Sequence, residues 1–396
     1  MPWRERTVME ERLRFVALRL EGESMTALCR EFGISRKTGH KIFARYREHG
    51  LEAVRDRPRT PGRVANRLPL ALESRIVALK REKPHWGARK LRELLARRLG
   101  SGVRLPARST IHAVLDRHGL VEHARARAHP RATGTPLSRP VAPNELWCTD
   151  FKGEFRLGDR SWCYPLTVTD QVSRSLLLCE ALESTREAPV ITAFWRLFEE
   201  RGLPAAIRSD NGVPFATPNG LYGLSALAVW WLRLGIAIER ITPGCPQQNG
   251  AHERMHLTLK EATTRPAAEN ALQQQARFDS FREAFNDERP HEALGMKTPA
   301  EVYRPSPRAF SGLPELDYPL HDRDVVVEAC GAICLHHTRV GISTVLAGQR
   351  LGLREVENDV WLVSFMHYDL GYVDLEARRL QTIENPFGAA RPPVLA

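Results

Sequence analysis

Two segments of this chain are unable to join a packed core, and they divide everything else. Residues 51–66 include RDRPRTPGR, with three prolines or glycines among four arginines, which excludes a helix. Residues 123–143, HARARAHPRATGTPLSRPVAP, hold little apolar bulk and several Arg and Pro. Both read as basic linkers. The folded parts must therefore be residues 1–50, residues 67–122 and the long remainder. The total of 396 residues suits roughly two to four domains.

Charge follows the same division. Residues 1–145 hold 32 Lys+Arg and 15 Asp+Glu, whereas the rest holds 26 and 32. A basic front half on a slightly acidic back half points to a nucleic-acid grip joined to something else. The 42% hydrophobic and 27% charged residues exclude collagen, a disulfide scaffold and a wholly disordered chain. Seven cysteines, at 29, 148, 163, 179, 245, 330 and 334, form no C-x-x-C pair and are expected to be reduced. Residues Met1 to Arg14 lack an apolar signal region, and the apolar run Leu221–Leu232 is too short to span a bilayer. A cytoplasmic, nucleoid-associated location and no membrane partner are expected.

Residues 8–49 show the spacing of three helices, with Ser24 and Ser35 as caps and Gly33 as a breaker. A short helix, a Gly-containing turn and a longer basic helix form a helix-turn-helix pattern. Arg36, Lys37, Thr38, His40 and Lys41 cluster where such a helix reaches base edges or phosphates. Arg57 and Arg59 in the first linker suit a phosphate backbone or a minor groove. Residues 67–122 repeat the theme, with helices near 70–81, 88–99 and 109–118. They read as a second helix-turn-helix or a winged helix.

From residue 144 the pattern changes to β-β-β-α-β-α-β-α-α, a mixed sheet covered by helices through about 305. Residues 318–385 are again strand-rich, in five short runs, and a small barrel closes them naturally. Residues 386–396 read as a tail.

Three acids in the mixed-sheet region stand apart. Asp150 lies within the strand WCTDFKG, Asp210 ends the strand AAIRSD before Asn211-Gly212, and Glu253 starts the helix of NGAHERMHLTLK. Each has an ordinary structural reading alone: an edge residue, an Asx-turn, a helix-dipole partner. Together, in order and in those elements, they can converge. Clustered carboxylates repel one another, and two divalent cations about 3.5–4 Å apart need such a cluster. Mg²⁺, with Mn²⁺ as a substitute, takes such hard oxygen ligands.

The motifs WCTDFKG, RSDNGVPF and PQQNGAHERMHLTLK resemble the Asp-Asp-Glu core of bacterial insertion-sequence transposases and retroviral integrases. The resemblance covers about 144–303 and implies a ribonuclease-H-like fold. The helix-turn-helix modules and the barrel also suit such transposases. It implies that Asp150 bridges two metals, while Asp210 and Glu253 each complete one site. Lys260, seven residues after Glu253, lies on the same helix face and by resemblance holds the DNA end. Arg254 and His252 flank the glutamate as candidate phosphate contacts. The 42 residues between Asp210 and Glu253 exceed the family's usual spacing, with the excess expected within 216–234. The His-His-Cys-Cys zinc module of retroviral integrases is missing, which favours the bacterial branch.

Other groups are expected to be structural. Glu154, at i+4 from Asp150 on one strand face, and Glu239 read as solvated surface, and Asp170 as a hairpin closure. Cys330, Cys334, His336 and His337 fall in an expected strand whose adjacent histidines face opposite ways. Buried thiols are expected there in preference to zinc. The expected function is a transposase that binds double-stranded DNA at element ends, frees a 3′-OH and joins it to target DNA as a homo-oligomer. The alternative is a decayed or domesticated copy acting as a repressor.

Overall fold

The computed structural model describes residues 8–54, 68–100, 102–121 and 137–387. The chain divides into two compact units, Met1–Pro69 and Leu70–Ala396. The expected contacts at Arg57 and Arg59 lie outside the described residues, as do most of both linkers and the residues from 388 onward.

In the first unit, α1 (Val8–Leu20), α2 (Met25–Glu31) and α3 (Arg36–His49) follow the expected periodicity. Ser24 and Ser35 accept the amide N–H groups of Ala27 and Thr38, capping α2 and α3. Phe15, Val16, Leu28 and Cys29 close a small core. Gly39 sits inside α3 because a Cβ there would meet Cys29 Sγ at 2.5 Å and Phe15 at 3.0 Å. Its bare backbone lets α3 pack close to both neighbours. The first residues of the expected linker are not extended. Leu51–Val54 forms a 3₁₀ turn, Val54 is buried, and its carbonyl accepts a hydrogen bond from Arg12.

The second unit opens with α4 (Leu70–Glu82), α5 (Ala88–Leu99) and α6 (Arg108–Arg117). Ile76, Leu79, Leu91, Leu94, Leu95, Ile111, Val114 and Leu115 are buried as the periodicity requires. Among the described residues this module consists of three helices, with no strand between α6 and Leu146.

A mixed sheet follows, built from β1 (Leu146–Phe151), β2 (Phe155–Arg156), β3 (Trp162–Asp170), β4 (Leu176–Leu182), β5 (Ala206–Ser209) and β6 (Ala237–Arg240). The order is β4-β3-β1-β5-β6, with β2 against the start of β3. β3 runs antiparallel to β1 and β4, while β1, β5 and β6 are parallel. One face packs on α7 (Glu187–Arg201) and α8 (Ala226–Arg233) through Trp147, Leu166, Val168 and Ile207. The other packs on α9 (Gly250–Thr263) and α10 (Ala271–Glu283) through Cys163, Leu176 and Cys179. A short helix, α11 (Pro299–Val302), ends this region.

The third part is a nearly closed, seven-stranded sheet. Its strands are β7 (Arg323–Val326), β8 (Ala332–Leu335), β9 (Thr338–Gly341), β10 (Arg350–Glu357), β11 (Val360–Phe365), β12 (Tyr368–Asp374) and β13 (Arg379–Thr382). The order is β7-β10-β11-β12-β13-β9-β8, with Ile333, Val340, Leu353, Val363, Phe365 and Val373 filling the inside. β9 and β13 escaped the sequence reading because TRVG and RLQT carry too few apolar residues to show alternation.

Two expectations are corrected in this sheet. His336 and His337 have φ of 49° and 63° and form the turn between β8 and β9, so they do not alternate along a strand. Cys330 and Cys334 are exposed, not buried. Cys330 Sγ lies 2.7 Å from the Arg339 guanidinium.

Candidate active site

Strand alternation decides what faces what. In β1, Trp147 and Phe151 point toward the α7 and α8 side, where Trp147 stacks on Phe198. Cys148 and Asp150 therefore point to the α9 side. The β1–β3 register pairs Asp150 with Thr167 and Cys148 with Thr169, so both threonines share that face. The β1–β5 register pairs Cys148 with Arg208. Both strands continue past this pair in the same direction, so Asp150 near the end of β1 and Asp210 just after β5 come out on neighbouring segments.

Asp210 follows the end of β5, and its Oδ1 accepts the Gly212 N–H at 3.1 Å. The expected Asx-turn is present and holds the carboxyl beside β1. Glu253 stands in the first turn of α9 and is exposed. Both Asp210 and Glu253 are close enough to raise the Asp150 pKa by repulsion. Burial is the larger cause, and together they push Asp150 up to about 7. Burial also raises Asp210, against the opposing Gly212 hydrogen bond. Among the described residues, no three His, Cys, Asp or Glu side chains already stand close enough to hold a metal ion. The acids are coupled through their charge, with the exposed Glu253 still outside a shared ligand shell.

Beneath Asp150 lies a buried network. On α9 the buried positions His252, Met255, His256 and Leu259 follow helical spacing, so two histidines occupy core positions. Thr167 Oγ1 donates its one proton to the Asp150 carbonyl at 3.1 Å. It must then accept from both rings, at 2.8 Å from His252 Nε2 and 2.7 Å from His256 Nε2. His252 Nδ1 is left unprotonated and accepts from Thr169 Oγ1 at 2.7 Å. This network assigns the neutral tautomer to both rings. Burial drives both toward the neutral state, His252 well below the usual range and His256 down to about 3. His256 Nδ1, bare of a proton, lies 3.9 Å from Asp150 Oδ2. The expected phosphate contact at His252 is corrected: its ring is 1% exposed and fully engaged by threonines.

Lys260 and Arg254 are exposed on α9. Lys260 is near enough to Lys152 to help lower its pKa, behind the larger effect of burial, while Asp150 acts on Lys152 in the opposite sense. Lys152 thus joins the acid site, and its position two residues after Asp150 was the available signal. Glu154 does not share the Asp150 strand face. β1 ends at Phe151, and Gly153 turns the chain with φ of 85°.

Glu239 is corrected from solvated surface to a buried ion pair. Arg208 Nη2 donates to Glu239 Oε1 at 2.7 Å, with the two side chains 4% and 10% exposed. The same guanidinium donates to the carbonyls of Gln248, at 3.1 Å, and Ser138, at 3.0 Å. It thereby ties the loop before Glu253 to the strand before Asp210. Asp170 closes the β3–β4 turn as expected, its Oδ1 accepting from Ser173. In the first unit, Arg36, Lys37, Thr38, His40 and Lys41 are all exposed along the start of α3.

Residues 140–246 and 234–299 match two models of an integrase core domain. Residues 11–62 match a helix-turn-helix domain and residues 38–115 a homeodomain-like domain. An uncharacterized protein of insertion element IS407 from Burkholderia multivorans is 28% identical over 233 residues, covering 58% of this chain and 79% of that protein. One of insertion element IS476 from Xanthomonas euvesicatoria is 26% identical over 234 residues, covering 58% and 64%. Among solved structures, the HTLV-2 integrase catalytic core domain in complex with magnesium is 15% identical with a TM-score of 0.33. It covers 42% of this chain and 100% of that one.

Proposed function

From a chain that carries an integrase core domain behind helix-turn-helix modules and resembles bacterial insertion-element proteins, we propose a DNA transposase that acts at the ends of its own element. It hydrolyses a phosphodiester to free a 3′-OH and joins that end to target DNA. The observation that carries this reading is that Asp150 on β1 lies close enough to Asp210 after the neighbouring parallel β5 and to Glu253 in the first turn of α9 for both to raise it by repulsion.

The donor set suits divalent cations. Asp150 and Asp210 offer hard oxygens, and burial raises both carboxyls above the ordinary aspartate range, so a cation would relieve them. Asp150, Asp210 and Glu253 would hold Mg²⁺ or Mn²⁺, with the exposed Glu253 side chain turning inward. Divalent cations held by these three acids would supply Lewis-acid activation of an attacking oxygen and charge stabilisation of the leaving one. Thr167 and the two histidines fix the backbone at Asp150. The Arg208–Glu239 pair fixes the loop that delivers Glu253. Lys260 and Lys152 supply positive charge beside the acids for a DNA end. The exposed start of α3 reads the element ends. Two ends must be processed together, so the active form is a homo-oligomer.

The test uses DNA spanning the two boundaries of the element around its own reading frame, incubated with Mg²⁺ or Mn²⁺. Joined products are expected. Asp150→Asn should lose cleavage and joining by at least about a hundredfold while keeping duplex binding. Hydrolysis without joining would indicate a nuclease, and binding without cutting a repressor.

A further inference from the structure

A group of cations gathers near Glu253 and outnumbers the carboxylates that reach it, Glu292 and Glu261. Three elements bring it together. Lys90 lies in the first turn of α5, Arg254 follows Glu253 on α9, and Arg289 lies just beyond α10. Arg289 Nη2 donates to Thr258 Oγ1 at 3.4 Å, and Thr258 Oγ1 donates to the Arg254 carbonyl at 3.2 Å. Arg289 is thus held one helical turn from Arg254. Its guanidinium also lies 5.7 Å from the Phe285 ring centre. Arg89, next to Lys90, pairs with Glu292 at 2.6 Å and pins the start of α5 to the same region.

Two of the acids nearby are already paired. Glu292 pairs with Arg89 and Glu288 with Lys83, while Glu261 Oε2 lies 3.6 Å from His85 Nδ1. Among the described residues, Lys90 Nζ and the Arg254 guanidinium have no hydrogen-bond partner and no carboxylate within ion-pair distance. The first turn of α5 contains no acid. Burial, Arg289 and Arg254 bring Lys90 down to about 8 against the opposing charge of Glu292, and burial and Arg254 bring Arg289 down to about 10 against that of Glu261. His291, close enough to feel Lys90 and Arg289, has a buried Nε2 without a partner. Half-buried cations that repel one another are costly unless an anion joins them.

We propose that Lys90, Arg254 and Arg289 form a binding site for a backbone phosphate of duplex DNA, placed next to Glu253 so that the second helical module and the acid-bearing helix grip the same strand. The inference rests on the transposase reading for its substrate class. Its chemistry is that of a phosphodiester: one negative charge and outward oxygens that accept from a lysine and a planar guanidinium. Because Arg254 adjoins Glu253, a phosphate held here fixes the strand's register against the acids.

The test measures binding of a duplex of arbitrary sequence across a salt series. Lys90→Gln with Arg289→Gln should weaken binding about tenfold and lower the log–log salt slope by about two. Lys83→Gln, which removes a cation already paired with Glu288, should leave the slope unchanged. An unchanged slope in the folded double variant overturns the proposal. So does a site that takes inorganic phosphate, seen as a Lys90 ammonium shift by NMR, yet ignores DNA. Where the double variant fails to fold, Lys90→Gln alone should lower the slope by about one, and no change overturns the proposal. A wild-type protein that shows the Lys90-dependent slope but never cuts its ends would sink the transposase reading and leave this one standing.

Discussion

Thr167 has one hydroxyl proton, and giving it to the Asp150 carbonyl sets the protonation of two histidines at once. The same face holds Asp150 near neutrality, with its pKa pushed up to about 7 by burial, Asp210 and Glu253. That value lies above the ordinary aspartate range. The folded chain therefore binds this proton more tightly than the unfolded chain, and the metal-free protein loses stability as pH rises from about 4 to about 7. Asp150→Asn removes the penalty. With the Asp150 side chain 26% exposed, the expected gain is about 1–2 kcal/mol at pH 8, read from denaturant unfolding in chelator. A loss of stability instead would show that the carboxylate is favourably held. Cation binding must displace the same proton. Mn²⁺ affinity measured by calorimetry should therefore fall up to about tenfold per unit below about pH 7.

Among the elements, α8 shows why the longest apolar run in the chain is no membrane span. Leu227, Trp230 and Trp231 pack into the mixed-sheet core, while Ala228, Val229 and Leu232 pack into the barrel. A helix buried on opposite sides is apolar all round. No helix of the described residues is long and apolar enough to cross a membrane. α9 is its polar counterpart, with histidines at buried positions because threonines on β3 satisfy their nitrogens. The loop between β6 and α9 depends on the buried Arg208. Arg208→Ala leaves the buried Glu239 carboxylate without its counter-charge, held only by Ser138, and frees the Gln248 carbonyl. It should cost about 3–5 kcal/mol in thermal or denaturant unfolding. Glu239→Gln, which keeps an acceptor for the guanidinium, should cost less. Equal stability in all three proteins would mean that the pair does not hold this loop.

At the scale of the molecule, the unit Leu70–Ala396 contains the second helical module, the mixed sheet and the barrel together. A fragment starting at Leu70 should therefore fold by itself and unfold cooperatively in a circular dichroism melt. A broad, non-cooperative melt would count against that boundary. The helices of both modules were legible from apolar spacing, those of the first also from serine caps, and the mixed sheet from its alternating runs. These patterns are local, since a helix or strand writes its own period into consecutive residues. The three acids were legible as a motif for the same reason: each marks the end or start of such an element. The roles of His252, Glu239, Lys90 and Arg289 were not legible, because each depends on partners distant in the chain. Thr167 and Thr169 make a histidine a core residue, Arg208 makes a glutamate a buried ion, and the seating of α5 against the sheet region gathers cations from separate segments. By itself, the sequence determined which elements form and which residue types could bear the chemistry. Only the tertiary structure decided which charges meet, because the energy of a buried charge depends on what lies a few ångströms away in space.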